Sequence, residues 1–103
     1  MKYDKGVLIH IVCWKYKAET TEAERADHIA KLSALRDHIP EIRRFEVGAD
    51  ILHLERSFDT GLVAAFDDRA ALDVYDAHPE HQKVAAMGRQ IAERVVSVDL
   101  ISK

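Results

Sequence analysis

One cysteine, Cys13, stands among 103 residues, so no intramolecular disulfide can form. A basic excess is also missing. Fifteen Lys and Arg stand against eighteen Asp and Glu, for a formal charge of −3, whereas phosphate backbones and anionic membranes are held by concentrated positive surface. Arg43-Arg44 and the pair Lys15 and Lys17 are too sparse to supply one. Nucleic acid and membrane are therefore not expected partners. Met1 to Gly6 carries no apolar stretch of the signal-peptide kind, and together with the lone cysteine this gives a reducing cytoplasm as the expected location. No repeat, low-complexity segment or linker interrupts the chain. Residues 1–103 are read as one domain, small enough that a second copy would add substantially to its buried area.

What is present begins with Val7 to Lys17, a β-rich stretch whose two faces are both largely apolar. A period of two puts Val7, Ile9, Ile11 and Cys13 on one face and Leu8, His10, Val12, Trp14 and Tyr16 on the other. A strand of this type is buried on both sides. Thr20 or Thr21 then caps a helix, with Glu24 completing a capping box, and the helix runs to about His38, where Ile39-Pro40 stops it. Its apolar stripe reads Ala26, Ile29, Ala30, Leu32, Ser33 and Leu35; Glu22, Arg25, Lys31 and Arg36 form the wet side. His28, His38, and His53 with Glu55 read as solvated surface.

Strands are expected over Ile42 to Val47 and Gly61 to Phe66, with residues 49–60 open between a strand extension and a long hairpin loop. Asp67 or Asp68 caps the next helix, which places Leu72 and Tyr75 on one face. A last strand runs from about Val95 to Ile101, apolar at nearly every step. This order is that of an α+β, ferredoxin-like fold, a four-stranded antiparallel sheet with helices on one face. Helices can cover one side only. At about 25 cal/mol per Å² of apolar surface, an open face holding Trp14, Val12 and Leu8 would cost many kcal/mol in water, so a second copy packed sheet to sheet is expected to cover it. Cys13, on the other set, is expected to pack against the helices.

The chemistry-bearing residues concentrate in Tyr75-Asp76-Ala77-His78-Pro79-Glu80-His81. Pro79 biases His78 toward extended backbone, which suits a junction between a helix ending near Ala77 and one beginning at Pro79. The stripe Val84, Met87, Gly88, Ile91 and Val95 then places His81 on the inward face, in a first turn whose positive dipole end disfavours imidazolium. A neutral imidazole beside a phenol hydroxyl can move a proton in a dry pocket. His10, sharing a strand face with Trp14 and Tyr16, joins Tyr75 and His81 as the candidate site. His78 and His81 do not read as a metal pair, because Pro79 takes His78 out of helical geometry. An RNA-recognition module shares the strand-helix order, but Gly61-Leu62-Val63-Ala64-Ala65-Phe66 offers small aliphatics where that module stacks bases.

The ordered set Ile9-His10-Ile11-Val12-Cys13-Trp14-Lys15-Tyr16-Lys17, Ile39-Pro40-Glu41-Ile42, Phe45-Glu46-Val47-Gly48, Phe58-Asp59, Leu62-Val63, Phe66-Asp67-Asp68, Tyr75 and His78-Pro79-Glu80-His81 resembles the stress-responsive α/β-barrel domain family, from about Leu8 to Leu100. The resemblance implies a homodimer whose two sheets form a dimeric α/β barrel. It also implies an apolar cavity able to hold a small apolar or aromatic carbonyl compound. Plant polyketide cyclases of this fold use acid/base residues that the chain matches at His10, Tyr75 and His81, while a further histidine of those cyclases falls at Thr60 here. The competing expectations are a cyclase or lyase with His81 as general base and a purely structural stress protein with a filled core. Cofactor-free monooxygenases and haem-handling proteins also use such barrels, but no residue pattern here selects them; no cofactor and no metal is expected.

Overall fold

The computed structural model describes residues 6–103; Met1 to Lys5, and the reading made of them, lie outside the described residues. Four strands and three helices follow in the order β1 (Leu8–Tyr16), α1 (Glu22–His38), β2 (Arg44–Ala49), β3 (Thr60–Phe66), α2 (Arg69–Ala77), α3 (Pro79–Ile91) and β4 (Ala92–Ile101). The sheet order is β2-β3-β1-β4 with every neighbouring pair antiparallel. This is the expected ferredoxin-like arrangement, with the helices on one face.

Local chemistry sets the element boundaries. Thr21 caps α1: its hydroxyl accepts the Glu24 N–H at 3.1 Å, and its own N–H donates to Glu24 Oε1 at 2.9 Å. Thr20 Oγ1 instead donates to the Ile91 carbonyl at 3.0 Å, tying the start of α1 to the end of α3. Asp68 caps α2 by accepting the Ala71 N–H. His78 serves two helices, as the last residue of one and the cap of the next, with Nδ1 accepting the Glu80 N–H at 3.1 Å. Its nitrogen is thereby occupied by backbone.

The segment between β2 and β3 is a loop. Asp50 N–H donates to the Asp59 carbonyl, Asp50 Oδ2 accepts the His53 N–H, and His53 takes a left-handed φ of 53°. Ile51 and Leu52 are exposed in it, so the apolar residues that suggested a strand extension serve no core. The last strand starts at Ala92, directly after α3, and Val95 belongs to it rather than to the helical stripe.

Two expectations about faces are corrected. Leu8, Trp14 and Tyr16 pack beneath the helices with Leu32, Leu35, Ile39, Phe66 and Tyr75, so this face carries the core and is not the open one. Val7, Ile9 and Ala65, with Ile11 and Val63, cluster on the opposite side, and the period of two puts Cys13 there, half-buried, away from the helices. Both faces of β1 are apolar, so alternation alone could not tell them apart. The open face continues onto β4, where Val96, Val98 and Leu100 lie in register with Cys13, Ile11 and Ile9 and are exposed.

The α1 stripe is also rotated from its expected phase. His28, Leu32 and Leu35 are its buried residues, whereas Ala26 and Ala30 are exposed. His28 has no exposure at all, against its expected place on the surface; His38, His53 and Glu55 are exposed as expected.

Candidate functional site

Between the sheet and helices α1, α2 and α3 lies a pocket of about 280 Å³ lined by His10, Val12, Trp14, Leu32, Leu62, Tyr75, Asp76, His81, Ala85, Arg89, Val95 and Ser97. All three candidate residues line it. Two wider grooves of about 470 Å³ flank the fold, one between α1 and α3 and one beside Leu8 and Leu100. Neither brings together a tyrosine and two histidines.

Tyr75 comes from the last turns of α2 and is 1% exposed, wedged among aromatic rings. Its ring centroid lies 5.1 Å from that of Phe66, 6.0 Å from His10 and 4.3 Å from His81. Burial, with a smaller effect of the Asp76 charge, pushes its hydroxyl far above the usual phenol range. The group is a hydrogen-bond donor at any physiological pH.

His81 sits in the first turn of α3 because Pro79 starts that helix immediately after α2 ends. Its Nδ1–H donates to the Asp76 carbonyl at 3.1 Å, and Gln82 Nε2 donates to the same oxygen. That oxygen is one of the carbonyls left unpaired at the end of α2, so the two side chains of α3 complete it. With Nδ1 committed as donor, the neutral ring carries its lone pair on Nε2. Burial holds the His81 pKa below its ordinary value, opposed by the Asp76 carbonyl and carboxylate. His81 is a neutral base at physiological pH.

His10 enters from β1. It is paired in register with Asp99 of β4, and its Nδ1 lies 2.5 Å from Asp99 Oδ1. The carboxylate accepts, so Nδ1 carries the proton and the ring is held in one orientation. Among the described residues no group of three or more His, Cys, Asp or Glu is placed to hold a metal ion.

The family model for the stress-responsive A/B barrel domain matches residues 8–102. The chain belongs to this family. No curated protein matches it. Among solved structures, a dimeric ferredoxin-like protein of unknown function from Thermobifida fusca YX is 24% identical with a TM-score of 0.86, over 98% of this chain and 95% of that one. A second dimeric ferredoxin-like protein of unknown function, from Jannaschia sp. CCS1, is 28% identical with a TM-score of 0.78, over 92% and 98%. A hydroxynitrile lyase from Passiflora edulis is 19% identical with a TM-score of 0.87, over 97% and 96%, a likeness of fold alone.

Two features of this stress-responsive A/B barrel domain escaped the sequence reading. Asp99 is one, since nothing in a string of residues pairs positions that lie 89 apart. The other is His28. Tyr16 Oη donates to Thr60 Oγ1 at 2.8 Å and lies 2.8 Å from His28 Nδ1, so three buried polar side chains from β1, β3 and α1 form one chain of hydrogen bonds. Thr60, the position at which the cyclases carry histidine, is thus a partner of Tyr16 here. The available signal was the spacing of His28, Leu32 and Leu35, which puts His28 on the buried stripe. His28 Nε2 is sealed from solvent with no partner, a state costing about 1–3 kcal/mol for a buried polar group. Burial lowers the His28 pKa, so the ring is neutral.

Proposed function

We propose that this barrel domain forms a homodimer through its open sheet face and uses the pocket between sheet and helices to bind a small apolar or aromatic carbonyl compound. The observation that carries the ligand reading is the convergence of the Tyr75 hydroxyl donor and the neutral His81 base on one pocket with apolar walls. A filled core, as a purely structural protein would have, leaves no such space. Dimeric relatives of the same fold and the exposed Val96, Val98 and Leu100 support the homodimer. A lone, unpaired cysteine fits a reducing cytoplasm.

A second reading, a cyclase or lyase using acid/base chemistry, is favoured by the tautomer of His81. A carbonyl oxygen placed against Tyr75 receives its hydrogen bond, and His81 Nε2 takes a proton from the adjacent carbon. The C–H electron pair becomes the enolate double bond, with the negative charge on the oxygen held by Tyr75. A hydroxynitrile lyase built on the same fold supports the view that this architecture can carry catalysis.

Thermal-shift screening of β-keto, phenolic and aldehyde compounds against wild type and His81→Ala tests the binding reading. Stabilisation of the wild type that is lost in the variant is the expected result; stabilisation equal in both removes His81 from the site. Proton NMR of a bound ketone in deuterated water separates the two readings. Exchange of the α-proton faster than in buffer, and dependent on His81, indicates acid/base chemistry.

A further inference from the structure

His81, Ala85 and Arg89 of α3 all line the pocket, and their spacing of four puts them on one face of the helix. β1 lines the pocket with His10, Val12 and Trp14, spaced by two. Contacts fix which ends meet. The Tyr75 ring approaches both His10 and His81, with centroids 6.0 and 4.3 Å apart. Trp14 Nε1 instead lies 3.0 Å from the Cβ position of Gly88, the neighbour of Arg89. The two elements therefore run alongside each other, over about 12 Å from His81 to Arg89 on the helix and about 13 Å from His10 to Trp14 on the strand. Between those ends Ala85 and Val12 contribute only short apolar side chains.

Charge is divided between the two ends. Beside Tyr75 and His81 stand two acidic residues, Asp76, whose carbonyl holds His81, and Asp99, whose carboxylate holds His10. At the other end Arg89 is the one lysine or arginine lining the pocket, and it has no hydrogen-bond or ion-pair partner among the described residues. Arg69, on the outside of α2, is by contrast held by Asp73 at 2.9 Å. Helical side chains lean toward the N-terminus of their helix, which brings the Arg89 guanidinium back over the turn of Ala85. Burial is the main cause of the lowered His81 pKa, and the Arg89 charge adds a smaller effect of the same sign, so the two groups act on a common space.

We propose that Arg89 determines the specificity of this pocket and that its ligands are oxo-acids, with the carbonyl at Tyr75 and His81 and the carboxylate on the Arg89 guanidinium. This names the substrate class for the carbonyl-binding reading and rests on it. A guanidinium offers a planar fork of N–H donors that matches both oxygens of a carboxylate. Asp76 and Asp99 repel an anion at the opposite end, so the ligand is held in one direction only. The apolar lane past Ala85 and Val12 takes the methylenes between the two groups.

The test titrates the full chain with levulinate, its homologues longer by one and two methylenes, and the uncharged primary amide of each, followed by ligand-observed NMR at neutral pH. The best-fitting acid is expected to bind about fivefold more tightly than its amide, the effect of a guanidinium–carboxylate pair partly open to solvent. Added salt should shrink that difference. Arg89→Gln should erase it by weakening the acid, with the ligand-free Tm unaltered because Arg89 is exposed. Arg89→Lys, which keeps the charge without the fork, should retain part of it. Equal binding of acid and amide to wild type overturns the proposal while the carbonyl reading stands. So does a preference that survives in Arg89→Gln, which would place the carboxylate elsewhere. Pentanoate, which lacks the ketone, should bind more weakly than levulinate. If it binds as tightly, or if none of the ketones binds, the carbonyl reading falls and this inference falls with it.

Discussion

His10 and Asp99 face each other in register across β1 and β4, with imidazole Nδ1 2.5 Å from the carboxylate. The pair turns a strand residue into an oriented ring at the pocket wall, because an anchored Nδ1–H leaves Nε2 as the free nitrogen. Asp99→Leu removes the anchor. Nitrogen-15 NMR of the histidine rings should show His10 as the Nδ1–H tautomer in wild type and as a mixture in the variant. Since the Asp99 side chain is 41% exposed, solvent screens the pair, and the stability loss should stay below about 1 kcal/mol. A larger loss would mean that the carboxylate serves packing and not orientation.

Tyr75→Phe addresses the other wall. The ring is enclosed by Phe66, Phe45, His10 and His81, contacts that phenylalanine keeps. Urea denaturation should therefore move by no more than about 1 kcal/mol, while stabilisation by carbonyl compounds is reduced about tenfold in apparent affinity as the hydroxyl donor is lost. Unchanged affinity would place the carbonyl elsewhere in the pocket.

Acid should weaken the fold through two histidines at once. Burial lowers the pKa of His28 and of His81 below the value of about 6.5 that an unfolded chain shows. Between the unfolded and folded values the unfolded state binds more protons, so stability is complete above about pH 6.5 and is lost as pH falls through the folded values. Tm measured from pH 8 down to pH 5 should decline below about 6.5, and His28→Phe should flatten part of that decline. A profile identical in the variant would show that His28 does not contribute to it.

Much of this architecture was legible from local chemistry. The capping box of Thr21 and Glu24, the proline after His78 and the β-rich apolar run of β1 each specify their element without help from the rest of the chain. His81 was placed on the inward face by its spacing from Val84, and it lines the pocket. What stayed hidden depended on relations between distant segments. Alternation separates two faces of β1 but not which one the helices cover, since both sets are apolar. The phase of α1 was drawn through small residues, Ala26 and Ala30, and so left His28 in water; only Tyr16 and Thr60, brought from two strands, give that imidazole a reason to be buried.

Gly88 marks the closest approach of α3 to this buried pair. A Cβ there would sit 3.0 Å from both His28 Nε2 and Trp14 Nε1, tighter than ordinary contact and against rigid rings. Alanine would gain up to about 1 kcal/mol of helix propensity, but overpacking costs about 1–3 kcal/mol. Gly88→Ala is expected to lower stability by a net amount on the order of 1 kcal/mol in urea. Stabilisation instead would show that the rings yield freely, and that glycine is not needed to keep them close.

The open sheet face gives the last test. Val98 of β4 is 52% exposed in the protomer and lies in register with the half-buried Ile11. If this face stayed in water, Val98→Lys would replace an exposed apolar side chain with a charged one and change stability by no more than about 0.5 kcal/mol. Packed sheet to sheet, the same lysine would stand in an apolar layer without a partner, and the cost of burying its charge would separate the subunits. Light scattering after gel filtration at micromolar concentration should give two chains for wild type and one for Val98→Lys. Glu46→Lys, toward the β2 end of the same face, should leave the mass at two chains, because Glu46 is already a charged residue exposed on the protomer. A wild-type mass of one chain would refute the homodimer.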